Sequence, residues 1–185
     1  MKKMRPDIQS FCYPMPVVLV GVNVAGRPTY LVAAHFSMVN SSPPYLAVSL
    51  NKTRHTIRGI DENGVFSINV PTAAMVEVTD HCGVVSGDEE DKGMLFEAFY
   101  GELKTAPMIK DCPFTAECRV VQTADLPANR LFIGEIIAVY SDERYLTHNL
   151  PDIRKVSPLI LSMPERKYFT LGPALSRAWR PHSAA

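Results

Sequence analysis

Short runs of β-branched and aromatic residues, each closed by Gly, Pro, Asn or Ser, recur along this chain, and most of the gaps between them are too small for a helix. The first run, "VVLVGVNV" (Val17 to Val24), stops at "AGRP" and reads as one arm of a hairpin. Its return arm begins in "TYLVAAHFSMVNSS", and after "SSPP" comes a further strand, "YLAVSLN". A short helix follows, with Ile57 and Ile60 on one face and Gly64 as its stop, and then the strand "VFSINVP". From Thr72 to Gly101 two helical stretches flank a Gly/Ser/acidic loop. "FTAECRVVQTAD" and "RLFIGEIIAVYSDE" form a second hairpin around Pro127, and "SPLILSM" with "KYFTLG" adds a last strand. The tail "PALSRAWRPHSAA" reads as a short amphipathic helix, with Trp179 covering the core or a partner subunit. Six or seven strands joined mainly by short turns predict a mainly β fold, an antiparallel barrel with helical insertions. A doubly wound parallel sheet needs a regular strand–helix alternation that is missing here.

The 185 residues suit one domain, 1–185, with flexible ends at about 1–12 and 181–185. Lys+Arg and Asp+Glu both number 19, so no net field recruits nucleic acid or an anionic membrane, and a charged ligand must be met by a local patch. The basic and apolar start is interrupted by Asp7, Gln9, Pro14 and Pro16, which argues against a signal peptide. No run approaches the roughly 18 apolar residues of a membrane span. The expectation is a soluble, cytoplasmic protein. Cys12, Cys82, Cys112 and Cys118 lack metal-ligand spacing, so no metal site is expected; Cys112 and Cys118 read as buried small hydrophobes in a reduced protein.

Three stretches carry chemistry. "NKTRHT" (Asn51 to Thr56) places Lys52, Arg54 and His55 where a strand hands over to a helix. Basic residues there oppose the helix dipole unless an anion joins them, so the stretch reads as a phosphate cradle with Thr53 and Thr56 hydroxyls. The alternative is a solvated basic turn with Thr53 as N-cap. In "AAHFSMVNSSPP", the small Ala33 and Ala34 leave room for a flat ring beside His35, Ser37, Asn40, Ser41 and Ser42; the alternative is an edge strand with a polar loop. "DHCGVVSGDEEDK" sets Asp80, His81 and Cys82 side by side, where neighbouring side chains diverge, so a nucleophilic triad is rejected. It reads instead as a glycine-punctuated loop over a pocket, with Glu89, Glu90 and Asp91 a solvated acidic turn.

The order "YPMPVVLVGV", "AAHFSMVNSSPPYLAVSLNKTRHTIRGIDENGVFSINVP", "HCGVVSGDEEDK", "CPFTAECRV", "LFIGEI" and "YFTLGPALSRAW" resembles the flavin reductase-like, FMN-binding split-barrel family, in its flavoredoxin and ferric-reductase-like branch. The resemblance runs from about Tyr13 to Trp179. It implies a six- or seven-stranded split β-barrel acting as a homodimer, with FMN near the subunit interface. Carried onto this chain, Ala33, Ala34, His35, Phe36 and Ser37 line the isoalloxazine or ribityl chain. Ser49, Asn51, Arg54, His55 and Thr56 hold the ribityl and phosphate, and the segment from Cys82 to Lys92 closes over the site. No side chain is then a catalytic acid, base or nucleophile, because FMN carries the chemistry. The flavin reductase branch has a Gly-Asp-His triplet before the strand matching "LFIGEI"; here Pro127, Ala128 and Asn129 stand in its place. Direct NAD(P)H use is thereby weakened, and an oxidoreductase passing electrons from another protein to a flavin, ferric or protein acceptor is favoured. The rival reading is a non-enzymatic flavin- or haem-binding module on the same barrel. An oligonucleotide-binding barrel fits poorly with the neutral charge, and a B6-type oxidase lacks a recognisable substrate clamp.

Overall fold

The computed structural model describes residues 3–4, 14–176 and 178. Cys12, Tyr13 and Trp179 lie outside the described residues, as does most of the expected tail helix; its described part, residues 173–176, has no helix.

Seven strands make the main sheet: β1 (Val18–Val24), β2 (Arg27–Ala33), β3 (Phe36–Ser41), β4 (Pro44–Asn51), β5 (Val65–Val70), β6 (Phe114–Asp125) and β7 (Asn129–Ser141). Their order is β2-β1-β5-β6-β7-β4-β3, and every neighbouring pair is antiparallel. The first hairpin turns at Ala25 and Gly26, both at positive φ, the conformation that matches the twist of a two-residue hairpin. β2 and β3 follow each other in the chain yet lie at opposite edges of the sheet. Only Ala34 and His35 separate them, so the two edges must meet, and the sheet curls into a barrel split along this seam. The Ser49 N–H donates to the His35 carbonyl at 2.9 Å, which extends the β3–β4 ladder by one rung up to this seam. The continuous return arm expected from the sequence is therefore two strands, with Ala33 paired to Val18 on one edge and Phe36 to Val48 on the other.

The barrel interior is filled by Val20, Leu31, Val48, Phe66, Ile68 and Phe132, all buried. Each such side chain contributes about 1.5–3 kcal/mol by leaving water. Helix α1 (Thr56–Asn63) lays Ile57 and Ile60 on this core and ends at Gly64, whose φ of 65° lets its N–H reach the Ile60 carbonyl at 2.8 Å. Helix α2 (Val76–Val84) buries Thr79 and Cys82 against β2. The second helical stretch expected after it is only a 3-10 turn, Lys92–Leu95, running into a short strand, Ala98–Phe99, paired with Met108–Ile109. A three-stranded minor sheet joins Met15–Pro16, Ile160–Ser162 and Lys167–Phe169, and helix α3 (Ile153–Val156) precedes its second strand. Cys82, Cys112 and Cys118 are free and buried, as small hydrophobes are. Among the described residues no helix is long and apolar enough to cross a membrane.

Candidate functional site

The site begins where β4 ends. Asn51 folds the turn: its side-chain oxygen accepts from the Thr53 N–H at 3.0 Å and the Thr53 hydroxyl at 2.8 Å, while its carbonyl accepts from the Arg54 N–H. Thr53 is thus held by Asn51 and does not cap α1, whose N-cap is His55 with no side-chain cap bond. Among the described residues the N–H groups of His55 and Thr56 find no partner. They are the donors that a helix start leaves open to an anion.

Two cavities adjoin this turn. The smaller, about 210 Å³, is lined by Thr53, Arg54, His55, Thr56, Ser86 and Lys92. The larger, about 420 Å³, is lined by Ala33, Ala34, His35, Ser49, Asn51 and Asn129, with Met15 of the minor sheet and Met163 of the turn after its second strand. Arg54 and Leu31 line both, so the guanidinium stands between them. It has no carboxylate partner among the described residues. Its neighbours in the hexapeptide and helix do: Lys52 pairs with Asp125 at 3.4 Å and Arg58 with Asp88 at 2.9 Å. Lys52 therefore lies outside the cradle.

The second cation comes from a distance in sequence. Lys92 is 3% exposed, and its ammonium donates to the carbonyls of Cys82 at 3.1 Å and Val85 at 3.2 Å. An ammonium has three donors, so one is left at the small cavity. Burial, with the Arg54 charge adding to it, lowers the Lys92 pKa from its ordinary value. The loop leading into it, residues 85–91, is tied to α1 by Asp88, whose Oδ1 meets His55 Nδ1 and accepts from Arg58, each at 2.9 Å. The His55 bond, reinforced by the charges, holds the Asp88 carboxyl below its usual pKa. Gly87 lies so close that a Cβ would come within 2.9 Å of the His55 ring. Glycine is needed for that approach.

Of the residues expected at a site, the structure gathers Ala33, Ala34, His35, Ser49, Asn51, Arg54, His55, Thr56 and Lys92 around the two cavities. Phe36 and Ser37 line neither. Phe36 packs on the barrel core, and the Ser37 hydroxyl donates to the Met38 carbonyl on the exposed strand β3. The triad stretch disperses as expected: Asp80 accepts from the Tyr168 hydroxyl at 2.8 Å, His81 meets Glu90 at 3.0 Å, and buried Cys82 has its thiol pKa pushed up to about 11. The acidic turn is solvated as expected, with Glu89 and Asp91 exposed, while Glu90 also meets His81 and Asp91 accepts from the Gly93 N–H. Residues that pattern reading passed over are Leu31, Ser86, Met15 and Met163, which reach the cavities only through tertiary folding. Asn129 donates to the Ser49 hydroxyl at 3.1 Å on the larger cavity.

Chemically, the small cavity suits a single phosphate-like anion, and the larger one, floored by two alanines, suits a flat group attached to it. The sequence profile of the flavin reductase like domain matches residues 10–169. The structure of flavoredoxin from Methanosarcina acetivorans superposes with a TM-score of 0.96 at 49% identity, over 99% of this chain and 98% of that one. Flavoredoxin of Desulfovibrio vulgaris (Miyazaki F) gives 0.89 at 35% identity, over 96% and 98%. An FMN reductase (NADH), RutF, from Acinetobacter baylyi is 26% identical over 147 residues, 74% of each chain. Its cavities, its split antiparallel barrel and these matches place the chain in the flavin reductase like domain family.

Proposed function

We propose that the protein is an FMN-binding redox flavoprotein of flavoredoxin type, passing electrons from a protein donor to a flavin, ferric or protein acceptor. The observation that carries the reading is Arg54, without a carboxylate partner among the described residues, lining both a cation-lined small cavity and a larger one with two alanines. Similarity to two flavoredoxins and an FMN reductase supports FMN as the ligand.

In this reading Arg54, Lys92, Thr56 and the open N–H groups of His55 and Thr56 hold the phosphate. Ala33 and Ala34 admit the ring against the backbone, and Ser49, Asn51 and His35 face the ribityl chain and ring edge. Loop 85–91, latched by Asp88, covers the phosphate and excludes water. Bound FMN supplies the electron-carrying ring, while the chain supplies binding, orientation and the electrostatic setting. No protein side chain is required as acid, base or nucleophile. The Pro127-Ala128-Asn129 sequence, where related reductases have Gly-Asp-His, supports a protein donor over NAD(P)H. Met38 and Val39, exposed on edge strand β3, support burial of that edge in a homodimer. The balanced charge supports a protein acting without nucleic acid or an anionic membrane.

The test is anaerobic. FMN-loaded protein should lose its visible flavin band when a reduced electron-transfer protein is added, and should turn over NADH or NADPH only slowly with ferric chelate or free flavin. Rapid NADH oxidation would overturn the assignment of donor, and failure to be reduced by any donor would favour a binding module.

A further inference from the structure

The turn between β6 and β7 is clasped to the hexapeptide that follows β4. The Lys52 N–H donates to the Ala128 carbonyl at 3.0 Å, and the turn closes on itself where the Leu126 N–H donates to the Asn129 carbonyl at 2.9 Å. Beside it Arg130 is fixed from two directions, by Asp61 at 2.7 Å and by Asp125 at 3.2 Å. The backbone at Asn129 therefore has little freedom. Asn129 pairs with Asn51 on β4, and Leu131 pairs with Ser49, so Asn129 and Ser49 are diagonal neighbours on one face of the sheet. Both line the larger cavity.

One hydrogen bond joins the two side chains, and its direction matters. Asn129 Nδ2 donates to the Ser49 hydroxyl oxygen at 3.1 Å. A hydroxyl has one proton and two lone pairs. The amide occupies a lone pair, which leaves the proton to point elsewhere, and among the described residues no oxygen receives it. The Ser37 hydroxyl on the neighbouring strand differs, because its proton is spent on the Met38 carbonyl. Ser49 thus presents a held donor to a group that enters beside Ala33 and Ala34.

We infer that Asn129 is a positioning residue: it holds the Ser49 hydroxyl as a donor to the flavin ring and so favours the reduced, electron-richer ring over the oxidised one. Reduction adds electron density at the ring nitrogens and carbonyl oxygens, so a donor fixed against them is worth more after reduction than before. Setting the hydroxyl in advance removes the cost of turning it when that density arrives. Asn129 acts in this role through Ser49 and not by its own contact with the ring.

This inference rests on the flavin reading, and the test separates the two. Full-length protein loaded with FMN is titrated anaerobically in a spectroelectrochemical cell, as wild type and as Ser49→Ala, Asn129→Ala, the double variant and Ser49→Thr. Ser49→Ala is expected to weaken reduced flavin about tenfold more than oxidised flavin, which lowers the two-electron midpoint potential by about 30 mV. Asn129→Ala keeps the hydroxyl but frees its direction, and is expected to give about threefold, or roughly 15 mV. The double variant is expected to match Ser49→Ala, and Ser49→Thr, which keeps a hydroxyl, to stay at the wild-type potential. Thermal unfolding checks that the fold is retained; Asn129 is half-buried at the end of a surface turn, so its variant remains informative if Ser49→Ala is unstable. Additive shifts in the double variant overturn the inference alone, as does an unmoved potential in either alanine variant. Wild-type protein that binds no FMN overturns the flavin reading and this inference with it.

Discussion

Among the described residues two charged side chains are buried, and their surroundings differ in one respect. Glu117, fully buried in β6, has both oxygens engaged: Oε1 accepts from the Glu102 N–H and the Tyr140 hydroxyl at 2.8 Å each, and Oε2 from the Leu103 N–H at 2.7 Å. Lys92, nearly as buried, spends two donors on carbonyls and keeps one for the cavity. A buried charge whose partners are complete stabilises a local fold, here the chain turning at Glu102 and Leu103. A buried charge left one partner short costs stability, and an anion meeting its third donor would offset that cost. Burial lowering the Lys92 pKa expresses the same cost.

The comparison breaks most visibly at Glu117. Glu117→Ala strands two N–H groups and a tyrosine hydroxyl, so denaturant unfolding should lose about 3 kcal/mol or more, while the folded fraction keeps its FMN affinity. Little loss of stability would show that the carboxylate is not structural.

Lys92→Met should do the reverse. FMN affinity falls roughly 10- to 100-fold, the worth of a charge-assisted hydrogen bond, and stability holds or rises. The sign follows from the lowered pKa: folding is disfavoured while Lys92 is charged, and stability grows as pH rises through the lowered folded value. That rise should disappear in Lys92→Met. Loss of stability in the variant at neutral pH would make Lys92 a structural charge like Glu117.

Arg54→Ala sharpens the contrast, since among the described residues this guanidinium has no carboxylate partner to strand. FMN should bind about tenfold more weakly with stability changed by less than about 0.5 kcal/mol. Lys52→Ala, which removes only the exposed pair with Asp125, should change FMN affinity less than about twofold. A large effect would return Lys52 to the cradle.

The smallest effect concerns the latch. Asp88 has a depressed pKa in the folded protein, so its hold on His55 and Arg58 is complete above its ordinary value of 3.8 and is lost as pH falls through the lower folded value. FMN dissociation, followed by stopped-flow fluorescence, should quicken below about pH 4, and Asp88→Asn should show the quicker release already at neutral pH. An unchanged rate in the variant would mean that the loop is held elsewhere.

The hexapeptide was legible because its basic residues conflict with the dipole of the helix they start, a local contradiction visible in sequence. Lys92 was expected at the site only through the family resemblance, and how it enters the cavity while Lys52 stays out was not legible in the residues themselves. Lys52 and Lys92 are the same residue type, and only the path of loop 85–91 across α1 brings one inward while Asp125 draws the other out. The strands were readable from alternation, but the break between β2 and β3 was not. Apolar and small residues run unbroken through Ala33 to Phe36, and the change of sheet edge there follows from closing the barrel, a contact between distant strands. Phe36 and Ser37 were assigned with the ring-lining run for the same reason: past the seam, alternation sends Phe36 to the core and leaves Ser37 exposed.

The central claim is that Arg54 and Lys92 bind a phosphate, and riboflavin tests it because it has the same ring and ribityl chain without that group. Titrating flavin-free protein with FMN and riboflavin side by side should give FMN at least about 100-fold the tighter binding, from two charge-assisted contacts. Equal affinities for the two would contradict the account.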